Sequence, residues 1–293
     1  MPAIGFLYPD GSKVSFEDVN KGDVDIVKMG MSLPTLIEMS KERDPNRKPS
    51  TTELLNGACE SYLKRTKEYY IDPQDRAFSL AGTMHHARLE QHEDDRHLLE
   101  EKLEQFDITG IADLYDKETN TLLDYKNTGS YKCAKLLGMT YKLIPDPSGA
   151  RYKISGKWGK KGSPKMIKQW YREEGLADYG DWGWQVNWYR YLLTKAGYDV
   201  DSMYIQVTLR DGGLAVARER GLDKHIYLIE IPKYDDEVLE NKFLSARDEL
   251  VKALETGNLP QKCNKEQTWD GRKCQAYCDV RSLCPYNNGS ING

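Results

Sequence analysis

The chain has 293 residues, 39% of them apolar and 30% charged, with six cysteines and a net charge of −4. That is long enough to bury a core, and a mean hydropathy of −0.72 goes with the absence of any apolar run near the ~20 residues of a membrane span. The acidic balance excludes a globally basic nucleic-acid coat, and no basic segment followed by an apolar stretch lies between Met1 and Asp23, so a cytoplasmic protein without membrane contact is expected.

Residues 1–49 carry no pattern that assigns them a chemistry. Ser50-Thr51-Thr52-Glu53 has the form of a capping box, opening a helix whose apolar side is Leu54, Leu55, Cys59, Tyr62 and Leu63. A second helix is expected from about Gln74 to Lys102. The period then changes: Phe106 to Tyr115 reads as a strand, Asn120 as a turn, and Thr121 to Lys126 as a second strand. A helix carrying Trp182, Trp184, Gln185, Trp188, Tyr189 and Leu192 should end near Gly197. Strands Met203 to Leu209 and His225 to Ile231 follow, then an amphipathic helix from about Asp235 to Glu255. The order implies one α/β domain, residues 50–258, followed by a Cys-rich tail over 259–293.

Between the second strand and the Trp-rich helix, residues 138–172 hold nine basic side chains against the single acid Asp146. Tyr141, Tyr152, Trp158, Trp170 and Tyr171 are interleaved with them. Lys157, Trp158, Lys160 and Lys161 make this insertion a candidate DNA-binding element, phosphates meeting the cations and bases the rings. The plainer alternative is a solubilising insertion.

Asp124 and Lys126 alternate onto one face of their strand, with Tyr125 on the other, and a short connection brings Asp113 beside them. Two carboxylates and a lysine on one sheet face suit a divalent cation with an ammonium beside it. A solvated D-x-K face is the plain alternative for that triplet alone. Gly110 permits close backbone approach near Asp113, and Gln185 and Tyr189 share a helix face at i, i+4. His92 and His97 lie among acids and read as a solvated helix face; His225 opens an apolar strand and reads as structural.

In this order the pieces resemble the PD-(D/E)XK nuclease superfamily, and within it the RecB-type nucleases, such as the AddB nuclease domain and the RecB-like exonucleases of CRISPR adaptation. The matches are Gly82 and His86 for G-x-x-x-H, Gly110 to Asp113 for G-x-x-D, Asp124-Tyr125-Lys126 for D/E-x-K, and Gln185 with Tyr189 for Q-x-x-x-Y, spanning about Ser50 to Pro285. The resemblance implies a central mixed sheet flanked by helices, the restriction-endonuclease-like core. It implies Mg2+ or Mn2+ held by His86, Asp113, Asp124 and the Tyr125 carbonyl, with Lys126 positioning or helping to deprotonate the attacking water. Gln185 and Tyr189 would steady the site. The spacing favours His86 over its neighbour His85. The implied activity is hydrolysis of DNA phosphodiesters, as an exonuclease on ends or single strands, in recombination or repair, spacer capture or a mobile element such as a phage. A separate helicase or recombination partner would do any unwinding. The alternative is a non-catalytic DNA-binding scaffold of the same fold.

Four cysteines, Cys263, Cys274, Cys278 and Cys284, crowd the tail at spacing C-x10-C-x3-C-x5-C. In a reducing compartment such clustered thiols read first as metal ligands. Relatives of this type often carry a 4Fe–4S cluster with one early and three late ligands, which implies Cys274, Cys278 and Cys284 with Cys59. Two departures stand out: C-x3-C replaces the usual C-x2-C, and Glu60-Ser61 follows Cys59 in place of Pro and a basic residue. Cys263 is an equal candidate for the fourth ligand, and a tail-only site of four cysteines holding Zn2+ or a cluster, or free buried thiols, are the alternatives. Cys133 reads as an ordinary small apolar residue.

Overall fold

The ladder that organises the chain is a five-stranded mixed sheet. It is seen in a computed structural model that describes residues 3–41, 44–91, 94–157 and 159–287. The strands are β1 (Ala3–Leu7), β2 (Lys13–Ser15), β3 (Tyr69–Ile71), β4 (His97–Gln105), β5 (Ile108–Asp116), β6 (Thr121–Thr128), β7 (Met139–Pro145), β8 (Met166–Arg172), β9 (Ser202–Leu209) and β10 (Ile226–Glu230). The helices are α1 (Phe16–Lys21), α2 (Ile26–Met29), α3 (Leu33–Met39), α4 (Thr51–Asn56), α5 (Ala58–Thr66), α6 (Pro73–Leu89), α7 (Ser130–Leu136), α8 (Gly180–Lys195), α9 (Ala215–Glu219) and α10 (Asp236–Thr256). The main sheet runs β10-β9-β6-β5-β4, antiparallel except for the parallel β6/β9 pair. The fold is therefore mixed α/β, a central mixed sheet flanked by helices.

The N-terminal residues build a separate sheet, β2-β1-β3, in which β1 pairs parallel with β3. Because β3 follows α5, this pairing ties residues 1–49 to the chain beyond them. The capping box is present: Ser50 accepts from the Glu53 amide while Glu53 reaches back to the Ser50 amide. Thr51 Oγ1 then donates to the Thr109 carbonyl, 3.1 Å, and the Thr109 amide to Pro49, 2.9 Å, so α4 is stitched to the start of β5.

One expected element is corrected. The helix from Gln74 stops at Leu89, and His97–Gln105 is a strand paired along its length with β5. Leu, Glu and Lys are good helix formers, and that local preference is overridden by pairing. The expected strand from Phe106 starts two residues late. Phe106 and Asp107 both have positive φ, 54° and 56°, the turn that a right-twisted hairpin requires. His97 accordingly sits on β4, its Nδ1 2.8 Å from Asp94, and not on a helix. His92 lies outside the described residues.

The core lies between the sheet and α8. Trp188 is fully buried, stacked on Phe243 of α10 at 4.4 Å and on Tyr191 at 5.1 Å. Cys133 is buried among apolar residues, as expected of a small core side chain. Among the described residues no helix is long and apolar enough to cross a membrane.

Gly110 is where α8 meets the sheet most closely. A Cβ there would stand 2.7 Å from Tyr189 Cε1 and 3.0 Å from Thr51 Oγ1. Both neighbours are buried, so neither can yield cheaply. Gly110→Ala is expected to cost about 1–3 kcal/mol in urea unfolding through overpacking; an unchanged midpoint would show that the contact is slack.

Candidate functional site

The β5/β6 ladder runs Asp116–Thr121, Tyr115–Leu122, Leu114–Leu123 and then stops. The next pair in that register would be Asp113 and Asp124. In place of a backbone bond, Asp113 Oδ2 accepts the Tyr125 amide at 2.6 Å. On the other side, β4 pairs Leu99 with Leu114 and Glu101 with Ala112, which sets Glu100 opposite Asp113. Glu100 itself has φ +49°, a left-handed backbone in the middle of a strand. Such conformations cost on the order of 1 kcal/mol or more and gather where a side chain must be aimed. Three carboxylates thus stand in a row across three neighbouring strands.

Above the row, α6 supplies His86. Its Nδ1 is 3.1 Å from Glu100 Oε1 and 3.5 Å from Asp113 Oδ1. One ligand atom from each of His86, Glu100 and Asp113 falls within a 4.8 Å span, compatible with a single ion. His85 keeps out: among the described residues no carboxylate lies within 4 Å of its ring, which packs 6.0 Å from Tyr125 and 6.3 Å from His86. Glu100 is the residue that sequence reasoning missed. It lay inside a segment read as helix, and only the Phe106-Asp107 turn between two apolar-bearing runs could have signalled a hairpin there.

Asp124 is 1% exposed and pairs with Lys126 at 2.7 Å through Oδ2, while its Oδ1 has no hydrogen-bond donor among the described residues. Burial works against the Lys126 ammonium, but Asp124 and then Asp113 outweigh it and hold its pKa above the usual lysine value. Burial, followed by repulsion from Asp124, pushes the Asp113 carboxyl up to about 7. The hydrogen bond to Glu100 raises His86; burial lowers His85. Gln185 Nε2 donates to the Tyr189 hydroxyl at 2.7 Å, and burial raises the Tyr189 phenol to about 12, keeping it neutral. Tyr189 braces Gly110, three residues before Asp113. The expected Asp113, Asp124, Lys126, His86 and Gln185–Tyr189 set is therefore brought together. The amide of Tyr125, not its carbonyl, makes the contact seen here. Gly82 has open space around it.

A second cluster lies at the tail. Cys59, Cys263, Cys274, Cys278 and Cys284 all line one pocket with Glu60 and Lys273. The neighbouring Cys59 and Cys263 thiols shift each other in opposite directions, Cys263 down and Cys59 up. Burial raises Cys274 and carries Cys278 to about 12. Gly57, at φ +101°, admits Cys263: a Cβ there would be 3.0 Å from its sulfur. Lys273–Tyr277 forms a π-turn in which the Cys278 amide donates to Lys273, 2.9 Å. A π-turn takes up one extra residue, and the Cys274–Cys278 interval is one longer than C-x2-C.

The basic insertion is the β7/β8 hairpin, and Lys160 and Lys161 are exposed in the loop joining its strands. Lys157 is exposed there too; Trp158 lies outside the described residues. His225 packs against the backbone at Gly212, where a Cβ would stand 2.8 Å from its ring.

No family model matches the chain, and no curated protein matches it. Among solved structures, that of SSO0001 aligns with 86% of this chain and 93% of its own length, at 13% identity and a TM-score of 0.38. A likeness of that degree carries no inference about function.

The raised carboxyl gives a test of the site's electrostatics. With a folded pKa of about 7 against 3.8 unfolded, Asp113 costs stability progressively between those values and fully above them. In EDTA at about pH 8, Asp113→Asn keeps an acceptor for the Tyr125 amide and loses the strained charge. It should gain about 1–2 kcal/mol in urea unfolding, the gain vanishing below about pH 4. Equal or lower stability at the higher pH would contradict the assigned repulsion.

Proposed function

We propose that the chain is a metal-dependent deoxyribonuclease of the PD-(D/E)XK, RecB-like type, acting on DNA ends or single strands. The observation that carries this is the row Glu100, Asp113, Asp124 at the opened end of the ladder, with His86 above it and Lys126 beside it. A row of carboxylate oxygens with one imidazole suits Mg2+ or Mn2+, hard cations that take oxygen ligands. The buried, donor-less Oδ1 of Asp124 has the character of a ligand atom awaiting a cation.

His86, Glu100, Asp113 and Asp124 would hold the ion, which when bound supplies positive charge against the phosphate oxygens. Lys126 is better suited to donating than to taking a proton. Its raised pKa keeps it an ammonium, so it would position the attacking water or a phosphate oxygen. The Tyr125 amide fixes Asp113, and Tyr189, set by Gln185, braces the strand beneath it.

The five-thiol pocket supports a metal group at the tail, iron–sulfur or zinc, with the π-turn absorbing the irregular C-x3-C spacing. Cys59 and Cys263 both reach the pocket, so the geometry accommodates either beside Cys274, Cys278 and Cys284.

On end-labelled linear DNA with Mg2+ or Mn2+, the wild type should degrade substrate and stop in EDTA. Lys126→Ala and Glu100→Gln should each lose about 10²-fold or more in rate. Spared closed circles would mark end dependence; cut circles would replace the exonuclease assignment. Equal activity in Lys126→Ala would remove the site, and a wild type that binds DNA without cutting it would make the protein a scaffold.

Protein purified without oxygen should be brown and contain iron, with Cys274→Ser bleaching it and Cys133→Ser leaving the colour intact. Colourless protein with stoichiometric zinc would replace the cluster by a zinc site.

A further inference from the structure

Trp182, in the first turn of α8, lies between two ammonium groups. Lys126 Nζ is 5.9 Å from its ring centroid and Lys132 Nζ 4.9 Å. Lys132 is half-buried on α7, yet no carboxylate comes within 4 Å of it among the described residues. The preceding residue, Tyr131, is 49% exposed. The Arg220 guanidinium stands 5.6 Å from the Tyr131 ring and 5.9 Å from Trp170 on β8. Trp170 is the cross-strand partner of Tyr141 on β7, their rings 5.2 Å apart, and Lys168 sits 4.2 Å over Tyr141. Rings and cations thus form two groups, Lys126, Trp182 and Lys132 at the carboxylate site and Tyr131, Arg220, Trp170, Tyr141 and Lys168 at the hairpin, joined through the neighbouring α7 residues Tyr131 and Lys132.

We infer that these two groups form a track for single-stranded DNA, leading the strand from the β7/β8 hairpin to the row of carboxylates. The inference rests on the nuclease reading and commits it to the unpaired strand and to the residues that would guide it.

A purely structural purpose would bury the rings and pair every cation, as Lys126 is paired with Asp124 and Arg220 with Asp211. Here Tyr131 and Tyr141 stay 49% and 42% exposed, and Lys142 and Lys168 also lack a carboxylate within 4 Å among the described residues. Cation–π contacts hold each ring and its cation in place before any ligand arrives. A strand offers what the exposed rings and Lys132, Lys142 and Lys168 lack, flat bases and phosphates, whereas Arg220 is already held by Ser130 and by Asp211 at 3.9 Å. Paired bases are already stacked on one another and present only their edges, so the rings select an unpaired strand. The stacking positions are thus on the hairpin's strands, beside α7, and not in the loop bearing Lys157, Lys160 and Lys161.

The test measures anisotropy of a dye-labelled mixed-sequence 20-mer and its duplex, in EDTA, on the full chain. The wild type should bind the single strand more tightly than the duplex. Tyr131→Ala and Tyr141→Ala should each weaken single-strand binding about tenfold, while Tyr131→Phe keeps it. Lys132→Ala with Lys168→Ala should flatten the salt dependence by about 0.7 per lost phosphate contact. Circular dichroism melts of the Tyr variants should match the wild type, both side chains being half-exposed.

Undiminished binding in both Tyr→Ala variants would overturn the track and leave the nuclease reading standing, provided cleavage still depends on Lys126. Duplex bound as tightly as the single strand, with the same losses, would overturn the single-strand assignment. Wild type that neither binds nor cleaves DNA would overturn the reading beneath it.

Discussion

The site exists because two neighbouring strands stop pairing at one point. At Leu114 and Leu123 the β5/β6 ladder is intact; one residue further, Asp113 uses its side chain to accept the amide of Tyr125. Two buried carboxylates directly opposite each other repel, and cross-strand pairs of like charge are destabilising even at a surface. The separation of the strands and the Asp124–Lys126 pair answer that repulsion, which adds to burial in raising the Asp113 carboxyl. Glu100 adds a third carboxylate at the cost of a left-handed backbone, and His86 partly offsets it from α6. The surrounding structure holds this unfavourable arrangement in place: Thr51 anchors β5, and beside it Tyr189 fills the gap that Gly110 leaves.

What was legible in the sequence was local. Ser50 and Glu53 announce their helix because a capping box is complete within four residues. The D-x-K strand and the Gln185/Tyr189 helix face follow from periods of two and of 3.6. Glu100 was hidden for the opposite reason. Nothing within the Leu-Leu-Glu-Glu-Lys-Leu run prefers a strand; the segment becomes one because β5 offers it partners, and the turn that permits this needs two non-glycine residues at positive φ. The grouping of Trp182, Tyr131, Arg220 and Trp170 was likewise invisible, since its members come from α7, α8, β8 and the end of α9. The clustering of thiols could be read from spacing, whereas the choice among five could not, because Cys59 arrives from more than 200 positions upstream.

The cysteine pocket does not depend on thiols alone to hold the tail in place. Glu60, next to Cys59, is 5% exposed and lies 2.6 Å from Lys273 and 2.8 Å from Lys64. Lys273 also donates to Asn56, 2.8 Å, and Lys64 reaches Asp279, 2.9 Å. A buried carboxylate between two ammonium groups adds little net stability, since each ion loses its hydration. It does penalise every other docking of the tail, because a shifted register would strand Glu60 without a counter-ion. Lys273 opens the π-turn that precedes Cys278. The placement of Cys274 and Cys278 is therefore coupled, through Lys273, to the buried charge beside Cys59.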